Sequence, residues 1–124
     1  MMNQIHVQRL DHIALDVSDV SAARSFYGGL LGLKEVPRPE SFDFPGLWYE
    51  LGNAMLHIVA PRQPAIGKHH IALWVDDVHA SADVLTHAGY EVDWERTKIP
   101  GIDRYFTRDA DGNLIEIQGR EQAP

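Results

Sequence analysis

Four side chains in this sequence have the chemistry of ligands for a divalent cation: His12, His57, His70 and Glu116. Neutral imidazoles and one carboxylate suit a metal of borderline hardness such as Ni, Zn, Mn or Fe, one ion per site. With coordination positions left open, such an ion acts as a Lewis acid and lowers the pKa of bound water or substrate. Glu116 is the only acid of the four, so it is the candidate catalytic base as well as a ligand. A lone histidine would carry little weight in a chain that contains 7 of them. The position of these four in a repeat is what singles them out.

The phrase His-Ile-Ala-Leu-x-Val starts at His12 and starts again at His70, 58 residues later. Side chains alternate between the two faces of a strand. Over Leu10 to Val17 that puts Ile13, Leu15 and Val17 on one face and His12, Ala14 and Asp16 on the other. The second copy divides in the same way, with Ile71, Leu73 and Val75 against His70, Ala72 and Trp74. Each copy is followed by residues able to cap a helix (Ser18 or Asp19, then Asp76 or Asp77) and then by an apolar stripe at helical spacing. The first helix is expected from Val20 to about Leu31, although it contains Gly28-Gly29. The second is expected to run to about Ala88, with Gly32 and Gly89 as stops.

Three further strands are expected in each half. In the first they are Leu33 to Val36, ended by Pro37 and Pro39, and then Leu47 to Leu51 and Ala54 to Ala60 around the tight Gly52-Asn53 connection. In the second they are Tyr90 to Glu95, Asp103 to Arg108 and Asn113 to Gln118, the last two joined through Asp111-Gly112. The only linker is the short stretch Pro61 to Gly67. The reading is a single α+β domain over 1–124, made of two tandem βαβββ modules at 8–60 and 68–119. In the last strand of each module the polar side chain, His57 or Glu116, faces away from its aliphatic neighbours. All four candidate ligands therefore lie on the face turned away from the helices, the concave face of curved sheets that form a cup.

Trp74 shares the phase of His70 and is expected as an aromatic wall of the site, with Trp48 and Arg104 as further pocket residues. Phe42 and Phe44 stand in the loop from Arg38 to Pro45 and suggest a lining or cover for a pocket. His69 has the apolar phase, while His6, His79 and His87 are expected in the lead-in or on helix surfaces. Asp109, Asp111 and Asn113 lack the full spacing of a calcium loop.

Composition removes several classes. A formal charge of −7 disfavours nucleic acid and anionic membrane surfaces as partners. No apolar run is long enough to span a bilayer. With no cysteine and no basic-then-apolar leader, a cytoplasmic location is the default.

The phrases Leu10-Asp11-His12-Ile13-Ala14-Leu15, Ala23-Arg24-Ser25-Phe26-Tyr27, Leu30-Leu31-Gly32-Leu33, His69-His70-Ile71-Ala72-Leu73 and Asp109-x-Asp111-Gly112-Asn113-x-Ile115-Glu116-Ile117 resemble the vicinal oxygen chelate superfamily. It includes glyoxalase I, methylmalonyl-CoA epimerase, fosfomycin resistance transferases, extradiol dioxygenases and bleomycin-resistance proteins. The resemblance implies a metal-dependent, glyoxalase-like lyase or isomerase that chelates vicinal oxygens of a small-molecule substrate and stabilises an enediolate. Carried over, the metal ligands are His12, His57, His70 and Glu116, or only His12, His70 and Glu116 in transferase-like members. It also implies a homodimer, with His12 and His57 facing His70 and Glu116 of a second copy, or else a cup closed within one chain. The alternatives are an extradiol dioxygenase or thiol transferase, and a metal-free binding protein.

Overall fold

The computed structural model describes residues 4, 6, 8–61 and 70–122. β1 (His12–Asp16) leads into α1 (Val20–Ala23), which continues as a π-helical stretch from Arg24 to Leu30. Three strands follow: β2 (Lys34–Val36), β3 (Gly46–Glu50) and β4 (Met55–Val59). The second module repeats the order with β5 (His70–Trp74), α2 (Val78–His87), β6 (Asp93–Trp94), β7 (Ile102–Arg108) and β8 (Leu114–Arg120). The expected βαβββ modules are therefore present. Each forms a four-stranded mixed sheet, in the orders β1-β4-β3-β2 and β5-β8-β7-β6. The parallel pair in each sheet, β1 with β4 and β5 with β8, needs the crossover that the helix supplies.

The register makes the repeat quantitative. Ala14 pairs with His57 and Ala72 pairs with Glu116. On the other side Trp48 pairs with His57 and Phe106 with Glu116. His57 and Glu116 are thus structural equivalents, as are Trp48 and Phe106.

Local signals explain most element starts. The Asp19 carboxylate accepts from the amides of Ser21 and Ala22, and Asp77 accepts from Ala80. Both cap the first turn of a helix. The first helix departs from a plain α-helix over Arg24 to Leu30, the stretch that holds Gly28-Gly29. Gly28 lies against β3, where a Cβ would come 3.2 Å from the Tyr49 hydroxyl. A side chain there would press on Tyr49, so the glycine lets the helix settle close against β3. The strand expected over Tyr90 to Glu95 pairs only at Asp93–Trp94, because Tyr90 and Val92 turn into the core instead. The last strand runs on past Gln118 to Arg120.

The core lies between the sheets and the helices. Phe26, Tyr27, Tyr49, Tyr105, Leu56, Ile58, Ile115 and Ile117 are essentially closed to solvent. The modules are joined across it. Phe26 meets Tyr90 edge-on with centroids 4.8 Å apart, and the Tyr27 hydroxyl donates to Asp109 Oδ2 at 2.8 Å. Asp109 Oδ1 also accepts from the amides of Asp111 and Asn113, and Oδ2 accepts from Asn113 Nδ2. Asn113 Nδ2 in turn donates to the Asp16 carbonyl, and the Ser18 hydroxyl donates to Asp111. The turn between β7 and β8 is a joint between modules, held by a buried carboxylate.

His79 lies exposed on α2, as expected, but it is not without partners. It bonds Asp103 at 2.9 Å and stacks on Trp94. Lys98 Nζ, at 2.7 Å from Asp103 Oδ1, is the main influence holding that carboxyl below the usual range, followed by His79 and the Gln122 amide. A depressed folded-state pKa adds stability that is full above the unfolded value near ~4 and fades as pH falls through the folded value. Asp103→Asn is therefore expected to lower the neutral-pH melting temperature and to flatten its decline below about pH 4, measurable by thermal melts across pH.

Candidate functional site

His57 sits in the middle strand pair of the first sheet with its ring between two others. The Trp48 indole lies parallel to it, 2° between planes and 4.1 Å between centroids. The His12 imidazole covers the opposite face at 4.1 Å and 16°. Strand phase brings this about, since His57 and Trp48 are directly paired and His12 projects from the neighbouring strand on the same face. His12 is also held from outside. Its Nδ1 lies 2.8 Å from Asp11 Oδ2, and a carboxylate only accepts, so Nδ1 carries the proton and Nε2 is left as the donor atom for a metal. Asp11 escaped the sequence reading as a functional residue. The signal was there in its position directly before His12. The His12 hydrogen bond is the main influence holding the Asp11 carboxyl low. Burial pushes His57 below the ordinary histidine range, with the neighbouring His12 adding to it, and its Nε2 is buried with no hydrogen-bond partner.

The second sheet carries the matching pair. His70 Nε2 lies 3.2 Å from Glu116 Oε1, and Phe106 meets the His70 ring edge-on at 5.6 Å. Glu116 is 6% exposed, an uncommon degree of burial for a glutamate. Its other oxygen is 3.6 Å from Arg104 Nη1. Arg104 also approaches Glu95 Oε2 at 4.0 Å and the Thr97 carbonyl at 3.5 Å. This arginine, expected as a pocket residue, leans on the site carboxylate. Gly46 occupies the equivalent place in the first module, and the guanidinium found beside it comes from the loop, where Arg38 lies against Gly46.

The expected single point of convergence is not reached inside one chain. Among the described residues no group of three or more His, Asp or Glu side chains could hold an ion. The structure presents two pairs on two sheets, His12 with His57 and His70 with Glu116. Trp48 joins the first pair. Trp74, 61% exposed, borders an apolar cleft of about 620 Å³ between the modules with Leu10, Ile13, Leu31 and Ile71. The aromatic loop packs on Trp48. Phe42 packs edge-on against Trp48 at 5.7 Å and stacks on Phe44. The Arg38 guanidinium lies over both phenyl rings and donates to the Phe44 and Gly46 carbonyls, which ties the loop to the start of β3. His87 bonds only its own helix, His6 is exposed, and His69 lies outside the described residues.

Comparisons with known proteins agree with this fold. A Bacillus anthracis structure assigned to the glyoxalase family superposes with a TM-score of 0.84 at 28% identity, covering 95% of this chain and 99% of that one. The "Probable lactoylglutathione lyase" of Vibrio cholerae is 28% identical over 128 residues, 93% of each protein. The "Ethylmalonyl-CoA/methylmalonyl-CoA epimerase" of Cereibacter sphaeroides is 32% identical over 101 residues, 69% of this chain and 75% of that protein. The family model matches residues 9–117. With the same repeated module, the same fold and nearly the whole chain matched, this protein belongs to the Glyoxalase/Bleomycin resistance protein/Dioxygenase superfamily.

Proposed function

We propose that this chain is a metal-dependent, glyoxalase-like isomerase or lyase acting on a small molecule with vicinal oxygens, and that its site is assembled between two copies. The observation that carries this reading is the pair of half-sites. His12, oriented by Asp11, lies on one sheet, and His70, 3.2 Å from the buried Glu116, lies on the other. Two imidazoles and a carboxylate fit a divalent ion of borderline hardness, and His12, His70 and Glu116 would hold it. Because one chain keeps the pairs apart, the set is complete only when the first sheet of one copy faces the second sheet of another. A divalent ion bound there would supply Lewis-acid activation of the substrate's oxygens.

The chain's own residues account for the proton. Glu116, released from its place as a ligand, takes it from the carbon next to a carbonyl. In a hydroxy-carbonyl substrate it goes back to the neighbouring carbon while the hydroxyl proton passes to the other oxygen, and in a malonyl thioester it goes back to the same carbon. The C–H bond broken is replaced by one formed, and no redox partner is required. His57 stands where a second carboxylate would be needed for a symmetric pair of bases, so Glu116 serves alone. Arg104 steadies its far oxygen, and Trp48, Phe42 and Phe106 supply apolar walls that keep water from the reacting carbon. The relatives named as a lactoylglutathione lyase and an acyl-CoA epimerase support a substrate of this kind.

The test is elemental analysis of protein purified without added metal, followed by solvent-deuterium exchange into two candidates, a glutathione hemithioacetal and a branched malonyl-CoA. Ni, Zn or Mn with exchange into either supports the reading. Glu116→Gln is expected to slow that exchange by about 10²–10⁴-fold. Iron with oxygen consumption and no exchange would move the assignment to ring cleavage. A metal-free binder is the second reading, favoured by the Phe42–Trp48 cover. It predicts no stoichiometric metal and quenching of Trp48 fluorescence by planar ligands.

A further inference from the structure

We propose that His57 is a positioning residue and not a metal ligand: the middle ring of a Trp48–His57–His12 column that fixes the direction of the His12 imidazole. The inference rests on the metal-site reading above and concerns the histidine that stands in the first module where Glu116 stands in the second. An imidazole binds an ion through a lone pair lying in the plane of its ring. His12 and His57 are stacked with planes 16° apart and centroids 4.1 Å apart. Rings so placed direct their lone pairs along nearly parallel lines in separate planes. An ion about 2.1 Å from one nitrogen stands well out of the plane of the other. The two rings can share a face, but they do not share an ion.

His57 is also immobilised as it stands. The Trp48 indole is parallel to it within 2° on the far side, and Phe42 closes on Trp48 from the loop that Arg38 fastens. Turning His57 toward a ligand position would break contacts on both of its faces. Its Nε2 is already buried without a partner. That atom contributes nothing to the column, and a plain six-membered ring can replace it. The His12 direction is then set twice, by Asp11 at Nδ1 and by the column across the ring face.

The variants His57→Phe, His57→Ala and His12→Phe separate the two roles, with Mn²⁺ titrated alone and Cu²⁺ as a spectroscopic reporter. If His57 positions His12, His57→Phe keeps Mn²⁺ affinity within about threefold of wild type, while His57→Ala weakens it by about 10-fold or more. His12→Phe abolishes measurable binding. The Cu²⁺ paramagnetic spectrum shows two coupled imidazole nitrogens in both wild type and His57→Phe. The melting temperature of His57→Phe stays level or rises, because the orphaned nitrogen is gone. Loss of Mn²⁺ binding by His57→Phe as complete as that of His12→Phe, or a third nitrogen lost with the ring, overturns the proposal. A wild-type protein that takes up no metal overturns the functional reading instead. The melts then decide the column: a His57→Phe that falls as far as His57→Ala refutes it, and one that holds supports it.

Discussion

Mixing His12→Ala and Glu116→Ala chains in equal amounts, after unfolding and refolding together, is expected to restore about one quarter of the wild-type metal sites and of any metal-dependent activity. Each variant alone is expected to have neither. The arithmetic follows from two half-sites on separate sheets. In a closed pair of identical chains, each site takes His12 from one copy and His70 with Glu116 from the other. A His12→Ala pair lacks an imidazole in both sites, and a Glu116→Ala pair lacks the carboxylate in both. A mixed pair puts both defects into one site and leaves the other intact. Random reassortment makes about half the dimers mixed, so about one site in four is whole. A cup closed within a single chain restores nothing on mixing. Metal content by dialysis and elemental analysis reads the result directly, and the folded state of each variant is checked by circular dichroism.

Asp109→Ala is expected to be the most destabilising single change outside the apolar core, costing about 3 kcal/mol or more. Its carboxylate takes four hydrogen bonds: from Tyr27 Oη, the amides of Asp111 and Asn113, and Asn113 Nδ2. Removing it leaves the Tyr27 hydroxyl and the amides of Asp111 and Asn113 without that acceptor, while Asn113 Nδ2 keeps only the Asp16 carbonyl. Tyr27→Phe removes one of the inter-module bonds and is expected to cost about 1.5–3 kcal/mol, the range for a hydrogen bond to a charged group. Burial, and then the nearby Asp109 carboxylate, push the Tyr27 phenol far above its ordinary range, so it remains a neutral donor at every working pH. A domain of this size has only about 5–15 kcal/mol in total, so urea unfolding will resolve both changes as shifts in midpoint. Both variants also bear on the site. Tyr27 and Asp109 join the two modules and so set how one sheet sits against the other.

Much of this molecule was legible from the chain alone, for a local reason. Strand side chains alternate with period two, so once His12 and His70 were placed on strands their neighbours were assigned to faces as well. The same phase put Trp48 with His57 and Arg104 with Glu116 once the pairing was known. Caps at Asp19 and Asp77 are likewise local, a side chain bonding amides two or three residues on. The repeat itself is arithmetic on the sequence.

What the tertiary structure decided is everything that joins one sheet to the other. No pattern along the chain says whether four side chains on two sheets meet in one copy. That depends on how Phe26 and Tyr27 of one module pack against Tyr90 and Asp109 of the other. Contacts so distant in sequence leave no periodic trace. Nor does residue type say which way an imidazole turns. His57 has a ligand's chemistry, yet the flat indole of Trp48 on one side and the His12 ring on the other make it the centre of a stack. The local rules put the right residues on the right faces, and packing between modules set their partners and directions.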